Sequence, residues 1–136
     1  MNSVKLTPTI AVAGQISLAQ VPQIAAAGYK VLVNNRPDNE EPGQPGSAQF
    51  EAAALAAGLE YHHLPVTAMD FPGPDVARIE KLFDDESRPL FAFCRSGTRC
   101  TNLWVLTRTG EARQEAIDRA RALGYDLGMA VRAAQN

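Results

Sequence analysis

The chain has 136 residues, 46% of them hydrophobic and 21% charged, which fits one folded domain and excludes a disordered segment. A formal net charge of −2 gives no general attraction to nucleic acid or to anionic membranes, so neither is expected as a partner. The N-terminus MNSVKLTPTIAVAG lacks the long apolar segment of a signal peptide, and no later run could span a bilayer, which predicts a soluble cytoplasmic protein.

Strand-like and helix-like segments alternate along the chain. TIAV, near Thr9, reads as a first strand. Ser17 and Gln20 then form a capping-box pattern, Val21, Ile24 and Ala25 give an apolar stripe, and Gly28 suits a helix C-cap. KVLVNN from Lys30 is β-branched and apolar, and predicts a strand. The stretch RPDNEEPGQPG (36–46) is dense in Pro, Gly and acids and predicts a loop, with Arg36, Asp38, Glu40 and Glu41 expected in solvent, although Arg36 follows a strand and could lean toward a site at that rim.

Ser47 is expected to cap an Ala-rich helix that ends at Gly58, and EYHHLPV from Glu60 reads as a third strand. DFPGPD (70–75) predicts a second structured loop, with Pro74 in the first turn of the next helix and Asp75 helping to cap it. That helix sets Val76, Ile79 and Phe83 on one face. PLFAF reads as a central strand buried on both sides, followed by helices over about 98–108 and 111–123 and a short last one in GMAVRAAQ.

This order predicts a single domain over residues 1–136. Its architecture is three-layer α/β, a mainly parallel sheet of four or five strands with helices on both faces. Such sheets bind ligands beyond the carboxyl ends of their strands. Cys94 falls there, and Arg36 and Asp70 also follow strands.

The two cysteines, Cys94 and Cys100, both lie in FAFCRSGTRCTNLW, which points to chemistry more than to a disulfide framework. A strand, a tight loop and a helix aim several backbone N–H groups at one spot, and the helix N-terminus adds roughly half a positive charge. Gly97 supplies the backbone freedom of such a nest, and Arg95 and Arg99 add permanently charged planar donors. A cysteine there should have a pKa in the range of about 3.5–7.5 and be a thiolate at neutral pH. A disulfide to Cys100 depends on whether the two Cα atoms approach to roughly 4.4–6.8 Å.

CRSGTRC resembles the active-site loop of rhodanese-type sulfurtransferases, with Cys94 as nucleophile and Arg99 five residues on. AGQISLAQVPQIAAAGYKVLVNNRPDNEEPG, the Asp70 loop and the cysteine loop are together similar to small dual-specificity phosphatase domains. The combination resembles one bacterial family, the phosphatase-like domain of beta-lactamase-hydrolase-like proteins. Its members are also described as sulfur transferases, and some are fused to persulfide dioxygenases.

The resemblance implies a tyrosine/dual-specificity phosphatase type of fold. It also implies an anion-binding loop formed by Arg95, Ser96, Gly97, Thr98 and Cys100, and Asp70 in the place of a general acid. Two departures stand out. Tyrosine-phosphatase loops carry the arginine six residues after the cysteine, where this chain has Cys100. Cys100 also replaces a usual Ser or Thr with a weaker S–H donor, for which Thr101 is the neighbouring hydroxyl.

His62 and His63 are adjacent in a strand and point to opposite faces, so no metal site is expected, and no cofactor. Trp104 is expected in the core, and Arg108, Arg113, Arg119 and Arg121 on helix surfaces. Three functions fit. In the first and favoured one, Cys94 takes sulfane sulfur from a small anionic donor and passes it to a thiol acceptor. The second is phosphate-ester hydrolysis through a cysteinyl-phosphate, and the third a thiol sensor or binding module without catalysis. The short loop favours sulfur transfer, and similarity along the chain favours the phosphatase.

Overall fold

The computed structural model describes residues 2–135. Strands β1 (Ser3–Thr7) and β2 (Ile10–Ala13) form an antiparallel hairpin. A short 3-10 turn (Leu18–Gln20) then leads into α1 (Val21–Ala26), followed by β3 (Val31–Asn34), α2 (Ser47–Ala56) and β4 (Glu60–His63). The second half holds α3 (Val76–Asp84), β5 (Leu90–Phe93), α4 (Thr98–Leu106), α5 (Gly110–Ala122) and α6 (Gly128–Ala134).

The sheet order is β1-β2-β5-β3-β4, with every pairing parallel except β1 with β2. β5 lies in the middle, and all four of its residues are buried. Side chains of a strand alternate between faces, and the core divides accordingly. Val12, Val31, Val33, Leu90 and Ala92 pack on one side with Ile79, Phe83, Leu103, Trp104 and Ala120 from α3, α4 and α5. Ala11, Leu32, Phe91 and Phe93 pack on the other with Val21, Ile24, Phe50 and Ala54 from α1 and α2. This is the expected three-layer α/β architecture with helices on both faces.

Several local expectations need correction. SVKLT forms β1, an edge strand that was not anticipated, because only Leu6 among its residues is fully buried. Ser47 does not cap α2. The cap position is Gly46, whose N–H is met by Gln49 Oε1 at 3.0 Å, while the Ser47 N–H donates to Asp38 Oδ1 at 2.8 Å. Asp38 therefore satisfies the helix start from the preceding loop.

Pro74 lies before α3 rather than in its first turn, and Asp75 takes the cap position without a side-chain cap bond. The helix after the cysteine loop stops at Leu106. Arg113 donates to the carbonyls of Leu106 and Arg108, at 2.7 and 2.8 Å, and so satisfies groups left open at that end. Arg108 is paired with Asp84 at 2.7 Å and is mostly covered, which makes it less of a surface charge than expected.

Candidate active site

β2, β5 and β3 end level with one another, because Ala13 and Asn34 both pair with Phe93. One further rung extends beyond them: Cys94 N–H donates to Ala13 O at 3.3 Å and Asn35 N–H to Phe93 O at 2.9 Å. The cysteine is thus fixed by the sheet itself. Its side chain is fully buried among the residues that pack under α4, together with that of Cys100, and both thiols are free.

The next residues turn sharply. Gly97 has φ +86°, a left-handed conformation that residues with a Cβ resist, and its N–H reaches Cys94 Sγ at 3.1 Å. The amides of Ser96, Arg99 and Cys100 and the Cys100 thiol lie around that sulfur and favour its thiolate form. This set of donors, led by the Cys100 thiol, outweighs burial and brings the Cys94 pKa down to about 5. Burial pushes the Cys100 thiol the other way, well above its ordinary value, so Cys100 stays protonated and remains a donor. Cys100 thereby takes the place of the missing hydroxyl. Thr101 does not, since its Oγ1 donates to Gly97 O at 2.9 Å.

The loop is braced from outside as well. Gln15 N–H donates to Arg95 O at 3.2 Å, and a Cβ on Gly14 would lie 3.0 Å from the same oxygen and press on the loop. Ser96 Oγ bonds Thr98 Oγ1 at 3.0 Å across the turn. The Arg95 side chain is 65% exposed and reaches only Glu41, at 4.0 Å. It lines an open cleft of about 480 Å³ with Gly14, Gln15 and Gln20 and has no bond to Cys94 among the described residues.

Arg99 is turned toward two loops. Its Nη1 donates to Glu40 Oε2 and to Val66 O, both at 2.9 Å, and its Nη2 to Glu40 Oε1 at 2.8 Å. Among the described residues, its Nε–H and its second Nη2–H have no acceptor. These two groups form the side-on fork of a guanidinium, the edge suited to two oxygens of an oxyanion. Arg99 is close enough to feel the Cys94 thiolate charge.

Glu40 is exposed, as the sequence predicts for this loop, but it is held in a doubly bonded pair with Arg99, contrary to a free solvated acid. Its carboxyl is held below the usual range, first by the hydrogen bond from Arg99 and then by Arg36. Arg36 is wholly buried, also contrary to expectation, and donates to Glu40 Oε1 and Gln15 Oε1, each at 2.8 Å. Only the position of Arg36 after a strand hinted at this. The partnership of Arg99 with Glu40 had no signal in the sequence, because it joins two loops that only the sheet order brings together.

Asp70 lies on the neighbouring loop, which supplies Val66 to Arg99. Its carboxylate accepts from Thr67 N–H at 2.7 Å and Thr67 Oγ1 at 2.9 Å, and it has no bond to the cysteine loop among the described residues. Those Thr67 bonds, the backbone one first, lower its pKa, so at neutral pH it holds no proton to give. His62 binds Glu60 at 2.6 Å and His63 binds Arg36 O at 2.8 Å, both structural contacts. Among the described residues no group of His, Cys, Asp and Glu is placed to hold a metal ion, and no helix is long and apolar enough to cross a membrane.

Comparison with known proteins shows the family and the fold. The profile of the family described as "Beta-lactamase hydrolase-like protein, phosphatase-like domain" matches residues 3–111. A beta-lactamase hydrolase-like protein of Agrobacterium fabrum is 37% identical over 97% of this chain, which spans only 31% of that relative's length. A crystal structure of a phosphatase candidate from Neisseria meningitidis superposes with TM-score 0.76 and 39% identity, covering 91% of this chain and 89% of that one. The structure of Tk-PTP in its active form has TM-score 0.71 at 16% identity, covering 98% and 93%, which places the fold among tyrosine and dual-specificity phosphatases.

Proposed function

Since this chain belongs to the family of the phosphatase-like domain of beta-lactamase hydrolase-like proteins, we propose that it is a cysteine-dependent phosphatase acting on a phosphate monoester through Cys94. The observation that carries the reading is the free side-on fork of Arg99, near enough to feel the charge of a sulfur that the loop amides favour as thiolate. The Neisseria relative, described as a phosphatase candidate and 39% identical, supports the choice of a phosphate ester.

The ester's phosphoryl oxygens take the Arg99 fork and the loop amides around the sulfur. The Cys94 thiolate attacks phosphorus, the phosphorus–oxygen bond to the alcohol breaks, and the leaving oxygen takes a proton from water. Water then attacks the cysteinyl-phosphate, releasing inorganic phosphate and the thiolate. The donors are fixed before substrate arrives, so their dipoles need little reorganisation as charge moves onto the oxygens. Rapid quenching with an aryl phosphate tests this: the phosphoryl group should be found on Cys94, and Cys94→Ser should not turn over.

Two observations favour sulfur transfer instead. The amides close on a single atom, as they would around a persulfide sulfur, and Asp70 is an ionised carboxylate tied to Thr67. Sulfur transfer from a donor whose leaving group is already a stable anion needs no acid. In this reading Cys94 thiolate takes the outer sulfur of thiosulfate, releases sulfite, and passes the sulfur to a small thiol. Persulfide on Cys94 after thiosulfate, with no phosphoryl adduct from aryl phosphate, would select it.

A further inference from the structure

Arg36 carries a full charge, yet it is wholly buried. We propose that it is a positioning residue for anion capture, acting through Glu40 on Arg99. The proposal rests on the reading of Cys94 and Arg99 as an anion site.

The backbone of Arg36 is pinned on both sides. Its N–H donates to Asn34 Oδ1 at 2.9 Å, and its carbonyl is bound by His63 Nε2 at 2.8 Å. From that fixed base the guanidinium spreads to three side chains. Nε reaches Glu40 Oε1 at 2.8 Å, Nη1 reaches Gln15 Oε1 at 2.8 Å, and Nη2 lies 3.2 Å from Glu41 Oε1 without hydrogen-bond geometry.

Glu40 Oε1 is therefore shared by Arg36 Nε and Arg99 Nη2. Glu40 sits on the Pro- and Gly-rich loop at 36–46, which has no regular structure to hold a side chain in place. Arg36 provides that hold. Its Nε–H fixes where the carboxylate lies, and the carboxylate fixes the rotation of the Arg99 guanidinium, including the edge left free for an anion. A lysine at 36 would keep the charge but lose the fork.

The network makes a specific division of labour. The Cys94 thiolate is stabilised by Cys100 and the loop amides, none of which Arg36 touches. Disturbing Arg36 should therefore weaken anion binding and leave the Cys94 titration where it is. General damage to the loop would move both.

The experiment follows alkylation of Cys94 by iodoacetamide under increasing inorganic phosphate, and in parallel under thiosulfate. Wild type is compared with Arg36→Lys, Glu40→Gln and the double variant. Loss of one charge-assisted bond should weaken protection about tenfold in each single variant. The double variant should be no worse than the weaker single one, since the two residues act in series. The alkylation pH transition should stay in place throughout. If Arg36→Lys does not fold, Gln15→Ala removes the Nη1 acceptor and should weaken protection in the same direction. Unchanged or tighter protection in the variants, additive losses, or a shifted pH transition would overturn the positioning role alone. No protection of wild type by either anion would remove the anion site itself, and this role with it.

Discussion

Glu40 and Arg99, 59 positions apart in the chain, meet as a doubly bonded pair, with Oε2 2.9 Å from Nη1 and Oε1 2.8 Å from Nη2. The pair uses the end of the guanidinium and leaves its side for a ligand. Arg99→Ala should lower turnover by about 10²–10³-fold, the range seen when one preorganised donor to a developing oxyanion is removed. Arg99→Lys should recover little, because an ammonium cannot hold Glu40, Val66 O and an anion with one planar group. Steady-state kinetics on an aryl phosphate measures both.

The Cys94 thiol gives stability a defined pH dependence. Its pKa falls from an ordinary 9.0 to about 5 on folding. Between those values the unfolded chain binds more protons than the native one, so this group's contribution rises with pH across the window. It is complete above the unfolded value and lost as pH falls through about 5. Urea midpoints across this range should show a slope in wild type that Cys94→Ser lacks.

Cys100 is the first cause of the depressed Cys94 pKa, because its buried thiol stays protonated and donates. Cys100→Ala should move the Cys94 transition upward, and Cys100→Ser, which restores a stronger donor, should keep it low. Thiolate ultraviolet absorbance against pH reads this directly. Equal transitions in the two variants would show that the amides alone set the value.

Asp70 is predicted to matter little for substrates with acidic leaving groups. Thr67 holds it as the carboxylate, so it cannot donate a proton in this conformation. Asp70→Asn should change aryl phosphate turnover by less than about threefold, far below the 10²–10⁴-fold of a working general acid. A loss within that larger range would mean that the Asp70 loop rearranges during turnover and delivers the proton.

The parts of this molecule legible in the sequence were those with local causes. Strand β5 shows as an apolar run, Gly97 as the residue that takes the turn, and Cys94 and Arg99 as a cysteine and an arginine placed at a strand–helix junction. The family resemblance added the fold type. What could not be read depends on chain segments meeting in space. Glu40 looked like one acid among several in a loop, and only the placement of β3 beside β5 brings it to Arg99. Arg36 looked equally ordinary, and its burial follows from the same neighbourhood. The edge strand β1 was missed because Leu6 is its one fully buried residue.

The central claim is that Cys94 becomes covalently phosphorylated, and the most direct measurement is mass spectrometry of rapidly quenched enzyme mixed with an aryl phosphate. A phosphoryl group on the peptide carrying Cys94, formed and lost at rates matching turnover and absent in Cys94→Ser, is the predicted result. No phosphoryl adduct at any time, together with a stable extra sulfur on Cys94 after thiosulfate, would contradict it and assign the same thiolate to sulfur transfer.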